Sequence, residues 1–162
     1  MQKISYILFC ILFPSTALAQ NHIPKTNDAI LTATERFILP ILCQNNINNV
    51  TLTIENCYKN ISIHNPSREK CVIADYALYD LAHYLKERAD IIGDPNLIHT
   101  SFFEEKAINQ RLSDFQKTSP PFQSYTPQEF KHYITVSASV IKDRYLNKYD
   151  QTGKNCSTDY QP

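Results

Sequence analysis

Tyr76, Asp80, His83 and Glu87 follow one another at spacings of four, three and four. On an α-helix that spacing places them along one stripe. A carboxylate next to an imidazole can orient it as a general base, and the same three side chains could approach a metal ion. The stripe reads equally as the solvated face of an amphipathic helix whose opposite face is rich in leucine. The zinc-helix pattern His-Glu-x-x-His is absent, and one His with two carboxylates is a poor match to metal-site spacing. Neither a catalytic residue nor a metal ligand is assigned from it.

Other chemistry is scarcer still. The chain has only two glycines, Gly93 and Gly153, and neither a dinucleotide-binding fingerprint nor a P-loop pattern occurs. No serine sits in a Gly-x-Ser-x-Gly elbow. His99 with Glu104 and Glu105 can be read as an acid–base cluster, or as carboxylates that favour a helix N-terminus. His132 reads as a surface or packed histidine. Sixteen basic and sixteen acidic side chains give zero formal charge, which argues against a nucleic-acid partner. No cofactor is expected.

Aromatic residues are more suggestive. Tyr76, Tyr79 and Tyr84 crowd one helix, and Phe122 and Tyr125 fall in a proline-rich connection. An exposed tyrosine offers a large contact area at low entropic cost, which suits protein binding. The binding candidates are therefore Tyr76, Asp80, His83, Glu87, Phe122 and Tyr125. The rival reading is that these rings cover the core.

The elements that must position them begin after an export signal. Lys3 precedes an apolar run from Ile4 to Phe13, and Ala17-Leu18-Ala19 supplies the small-x-small pattern of a signal-peptidase site. Cleavage is expected between Ala19 and Gln20, because the run is too short to span a bilayer comfortably. The mature protein is expected to be soluble and periplasmic or secreted. It keeps Cys43, Cys57, Cys71 and Cys156, an even number that suggests two disulfides in an oxidising compartment.

Residues 20–27 read as a flexible leader, 28–149 as a helical domain and 150–162 as a polar tail tethered by Cys156. Ile30, Thr34, Phe37, Ile38 and Ile41 share one helical face, with Pro40 expected to kink the helix or start a new turn. Gln44 to Asn49 reads as a break. The β-branched residues of 50–59 favour a strand, their neighbourhood a short helix ending near Tyr58; the helix is the reading adopted. Asn65-Pro66 opens a helix that runs to about Ile92, where Gly93-Asp94-Pro95 stops it. Ser101…Glu104 and Thr126…Glu129 each have capping-box form and are expected to open helices ending near Lys117 and Tyr149. Ser119-Pro120-Pro121 predicts an extended loop to Tyr125. No strand ladder or hairpin signal occurs, so the expected fold class is all-α, a bundle of four or five helices stapled by two disulfides. A helical hairpin would bring Cys57 to Cys71, and by elimination Cys43 would pair with Cys156.

The run from Cys57 to Tyr84 (CYKNISIHNPSREKCVIADYALYDLAHY) resembles a family of small exported bacterial lysozyme inhibitors. That family has a closely spaced Cys pair followed by an acidic, Leu-rich helix. Cys57 and Cys71, then Ala74-Asp75 and Leu78-Tyr79-Asp80, follow the same order. Two residues separate Cys71 from Ala74, where the family's second Cys directly precedes Ala-Asp-Pro, and Tyr76 stands in place of that proline. The resemblance implies a helical hairpin and an inhibitor-like role. Small exported all-α immunity proteins against cell-wall amidases are similar in size, location and fold class. The expected function is thus an exported, non-enzymatic module that binds another envelope or secreted protein, such as a cell-wall-degrading enzyme. A small periplasmic hydrolase working through Asp80, His83 and Glu87, and a ligand carrier, are the other classes left open.

Overall fold

The fold is carried by α1 (Asp28–Leu42), α2 (Ile47–Asn60), α3 (Glu69–Ile92), α4 (Glu105–Thr118) and α5 (Pro127–Thr152). The computed structural model describes residues 26–42, 47–92 and 101–152. Among these residues every regular element is helical and none is a strand, as the apolar periodicity predicts. The export signal, Cys43, Cys156, the Gly93-Asp94-Pro95 stop and His99 lie outside the described residues. No helix among the described residues is long and apolar enough to cross a membrane.

α3 is the centre of the bundle and packs on all four other helices. The sequence reason lies in its first turns. Cys71, Val72, Ile73 and Ala74 are consecutive and all buried. Four apolar residues in a row cover every side of a helix, so this part of α3 needs neighbours all round. The outer helices show the ordinary one-sided pattern. α5 buries Phe130, Tyr133, Ile134, Ser137, Ala138 and Ile141 on one face.

Local signals set most of the boundaries. Asn27 accepts the Ala29 N–H on its side chain at 2.8 Å and so caps α1. Thr26 beside it is buried and hydrogen-bonds the Ser137 hydroxyl of α5. Both residues fall within the stretch 20–27 that the sequence assigns to a leader, whose residues 20–25 lie outside the described residues. α1 runs through Pro40, which lies inside the helix. α2 begins at Ile47, inside the Asn-rich stretch expected to be a break, and the ambiguous segment 50–59 is helix. Val50, Ile54 and Cys57 face inward at helical spacing, and that packing outweighs the strand propensity of the β-branched residues.

Three further expectations are corrected. Asn65 does cap, accepting the Ser67 N–H at 2.9 Å, but it opens a 3-10 turn over Pro66–Arg68, and α3 proper starts at Glu69. Ser101 opens no α-helix: Ser101–Phe103 is a 3-10 turn, and α4 starts at Glu105 with no side-chain cap. The reason is tertiary. Phe103 is buried, and the Phe102 carbonyl and ring are both held by Arg111 of α4. The third concerns 119–125. Ser119 is extended, as a residue before proline must be, but Pro120–Phe122 then closes a 3-10 turn instead of continuing outward.

The disulfide Cys57–Cys71 joins α2 to α3 with the Cα atoms 5.8 Å apart. The pairing expected of Cys43 with Cys156 lies outside the described residues.

Candidate functional site

The stripe on α3 does not assemble. Asp80 is claimed by Lys142 of α5 at 2.6 Å. His83 is exposed and lies against the Tyr79 ring, with centroids 4.4 Å apart, while Tyr79 in turn meets Tyr76. Glu87 is exposed. Among the described residues no hydrogen bond or ion pair joins Asp80, His83 and Glu87, and no group of three His, Cys, Asp or Glu side chains could hold a metal ion. His132 is exposed on α5.

Phe122 is also not where a contact residue would be. It is 6% exposed and touches Phe115, Tyr125, Phe130 and Tyr133, with ring centroids 5.3–5.9 Å away. The 3-10 turn swings it inward to close the aromatic core between α4 and α5. Its side chain is therefore core, and cannot itself be contact surface.

Two arrangements of polar groups emerge instead, on either side of α4. The first is sealed. Asp75 of α3 is fully buried and receives two parallel bonds from Arg111, Nε to Oδ2 at 2.7 Å and Nη2 to Oδ1 at 2.9 Å. The Tyr58 hydroxyl of α2 donates to the same Oδ2 at 3.1 Å. Arg111 also donates to the Phe102 carbonyl at 3.0 Å and stacks on the Phe102 ring, 3.8 Å from its centroid. Arg68 lies between two rings, 5.8 Å from the centroids of both Tyr58 and Phe115. Burial pushes the Asp75 carboxyl upward, and the guanidinium of Arg111 opposes that push. The Tyr58 hydroxyl is raised well above its ordinary value, first by burial and then by the Asp75 charge. A bidentate, desolvated pair of this kind ties three helices together, with the planar fork of Arg giving the geometry that Lys would lack.

The sequence held one usable signal for this knot. Asp75 follows the all-round apolar run of α3 directly, so an unpaired carboxylate there would be prohibitive. That implies a cationic partner, but nothing in the sequence picks Arg111 out of the chain's basic residues.

The second arrangement is open. A cleft of about 490 Å³ lies between α4 and the start of α5. Leu112 and Phe130 give it an apolar floor, and Tyr125 stands half-buried at its side. Lys117 contributes from α4 and Lys131 from α5. Both lysines are exposed, and among the described residues neither has a carboxylate partner.

The cleft wall is held by local chemistry. The Gln116 side-chain amide donates to the carbonyls of Tyr125 at 2.8 Å and Phe122 at 3.3 Å, so the connection cannot drift from α4. Thr126 and Glu129 form the capping box expected of them. The Thr126 hydroxyl accepts the Glu129 N–H at 3.2 Å, and Glu129 accepts the Thr126 N–H at 2.8 Å. Glu129 is held below its ordinary carboxylate value by the Thr126 backbone and hydroxyl donors. Tyr125 is raised, first by desolvation and then by the charges of Glu69 and Glu129.

The cleft has no carboxylate, histidine or cysteine among its lining residues. Its polar groups are amides, a serine, a tyrosine hydroxyl and two ammonium groups. Such a lining can bind and orient, while it offers no carboxylate–imidazole pair for general acid–base work. Tyr125 is the one binding candidate from the sequence that borders it. Lys117 and Lys131 were not singled out, because they lie fourteen positions apart and only the packing of α4 on α5 makes them neighbours of one cleft. No protein-family model matches this chain, and no curated protein or solved structure does so.

Proposed function

We propose that the protein is an exported, non-enzymatic binding module that docks another envelope or secreted protein through the α4–α5 cleft. The single observation that carries the reading is the lining of that cleft: an apolar floor, a half-buried tyrosine and an amide-and-lysine rim, without an acid–base pair. Apolar centres with polar rims are the usual anatomy of protein contact sites. The buried Asp75–Arg111 pair supports the same reading from the other direction. The Asp75 carboxylate is fully buried and takes both of its bidentate bonds from Arg111, so this carboxylate is engaged within the fold.

The partner class proposed is a cell-wall-degrading enzyme. It rests on the export signal and on the likeness of the Cys57–Tyr84 segment to exported lysozyme inhibitors. The test is inhibition of purified muramidases and cell-wall amidases by the oxidised protein, read as slowed clearing of a peptidoglycan suspension. Inhibition near one-to-one stoichiometry, weakened by Tyr125→Ala, is the expected result. Full enzyme activity at a large excess of protein, for both enzyme classes, would remove the inhibitor role.

A further inference from the structure

We infer that the segment the cleft accepts is acidic: an extended stretch of a partner polypeptide in which an apolar side chain is flanked by Asp or Glu. The inference rests on the cleft being the docking surface and adds what it selects.

The charges argue for it. Lys117 and Lys131 stand one on each helix wall, and both are without a carboxylate among the described residues. The carboxylates nearest to them in sequence are already engaged. Asp114 accepts both bonds of the Gln110 amide, at 3.0 and 3.1 Å, and Glu129 is held in the capping box of α5. Neither carboxylate forms an ion pair with a lysine, so among the described residues the two ammonium groups face the cleft without a direct anionic contact. A carboxylate on each lysine would complete it, with the apolar residue between them resting on Leu112 and Phe130 beside the Tyr125 ring.

The same geometry selects a peptide over a phosphate group. The exposed N–H groups of a helix N-terminus would be the natural phosphate cradle, and Pro127 of α5 lies in the lining. That terminus is occupied by the Glu129 carboxylate, which repels a second anion. No arginine lines the cleft, so a forked contact to phosphate oxygens is also missing. Two separate ammonium groups, one from each helix, match carboxylates spaced along a chain.

The experiment uses the oxidised, isotope-labelled protein and two short synthetic peptides with the same central Phe-Leu pair. One peptide flanks it with Glu and Asp, the other with Ser and Asn. Backbone amide shifts of Leu112, Gln116, Gln123 and Lys131 report occupancy of the cleft. The acidic peptide should move them. Lys117→Glu with Lys131→Glu, or a rise to high salt, should weaken its binding about tenfold. Lys117→Gln with Lys131→Gln should weaken it by less. Tyr125→Ala should weaken both peptides. Equal binding of the two peptides, insensitive to the lysine changes, would overturn the acidic preference and leave the cleft as a docking surface. Amide shifts confined to other parts of the molecule, or none with either peptide, would overturn both.

Discussion

The two sides of α4 treat charge in opposite ways. Toward α2 and α3, Arg111 meets a carboxylate that is fully buried, while Arg68 beside it keeps two buried nitrogens, Nε and Nη1, against the Tyr58 and Phe115 rings without a hydrogen-bond acceptor among the described residues. Toward α5, nearly two turns further along, Lys117 faces an open cleft and forms no ion pair among the described residues. Desolvation explains the contrast. A buried charge without a partner is strongly unfavourable, so the fold is most stable with the pair intact. An exposed ammonium group keeps its water, so the chain can leave it unpaired and available. The sealed side is therefore where mutation should damage the fold, and the open side is where mutation should damage recognition alone.

Breaking the sealed side should give the largest effect. Asp75→Asn leaves Arg111, whose side chain is 22% exposed, without its counter-charge, and a loss of about 3 kcal/mol is expected in urea unfolding. The double variant Asp75→Leu, Arg111→Met should regain most of that loss, because the penalty comes from the orphaned charge. If the double variant is as unstable as the single one, the knot acts through packing and the contrast with the cleft fails.

Next in size is the staple on the same side. Cys57→Ser with Cys71→Ser removes a bridge that closes a loop of 14 residues in sequence separation, and about 2–4 kcal/mol should be lost by the same measurement. The open side has no covalent counterpart among the described residues, so reductant should leave the peptide shifts at the cleft unchanged wherever the protein stays folded.

The two capping-box sequences sharpen the comparison at a smaller scale. Thr126→Ala breaks a formed cap at the edge of the cleft and should cost about 1 kcal/mol. Ser101→Ala touches a residue with no cap to lose and should stay within about 0.5 kcal/mol of the parent. Thermal unfolding of the pair would separate them.

The smallest effect concerns pH. Glu69 accepts the Tyr133 hydroxyl, and burial raises its carboxyl above the usual 4.5. The folded protein thus holds this proton more tightly than the unfolded chain does. Its contribution is fully present below 4.5 and is lost as pH rises from 4.5 through the folded value. Glu69→Gln should flatten the fall in stability over that window, followed by urea midpoints at successive pH values. A fall as steep as in the parent would assign the dependence to another carboxylate, with Asp75, whose carboxyl burial also raises, the first to examine.

Much of the bundle could be read directly from the chain. The apolar spacing of α1, α3, α4 and α5, the Asn65 cap, the Thr126 box and the Cys57–Cys71 hairpin all depend on residues within a few turns of one another. Where a local signal failed, a distant residue had intervened. Arg111 pulled Phe102 into a 3-10 turn and removed the Ser101 box, and the aromatic cluster around Phe130 drew Phe122 out of the loop.

The candidate site was less readable for the same reason. The stripe Tyr76, Asp80, His83 and Glu87 was visible because it is periodic, yet periodicity says only that residues share a face. Lys142, from a helix far along the chain, decides what Asp80 does. The cleft needs Leu112 and Lys117 from one helix and Phe130 and Lys131 from another, with Tyr125 between them. By itself the sequence determined the helices, their order and the disulfide hairpin, because hydrogen bonding and side-chain spacing within a helix are local. Only the tertiary structure decided which charges are sealed and which stay open, because desolvation depends on what packs across a helix and not on what lies along it.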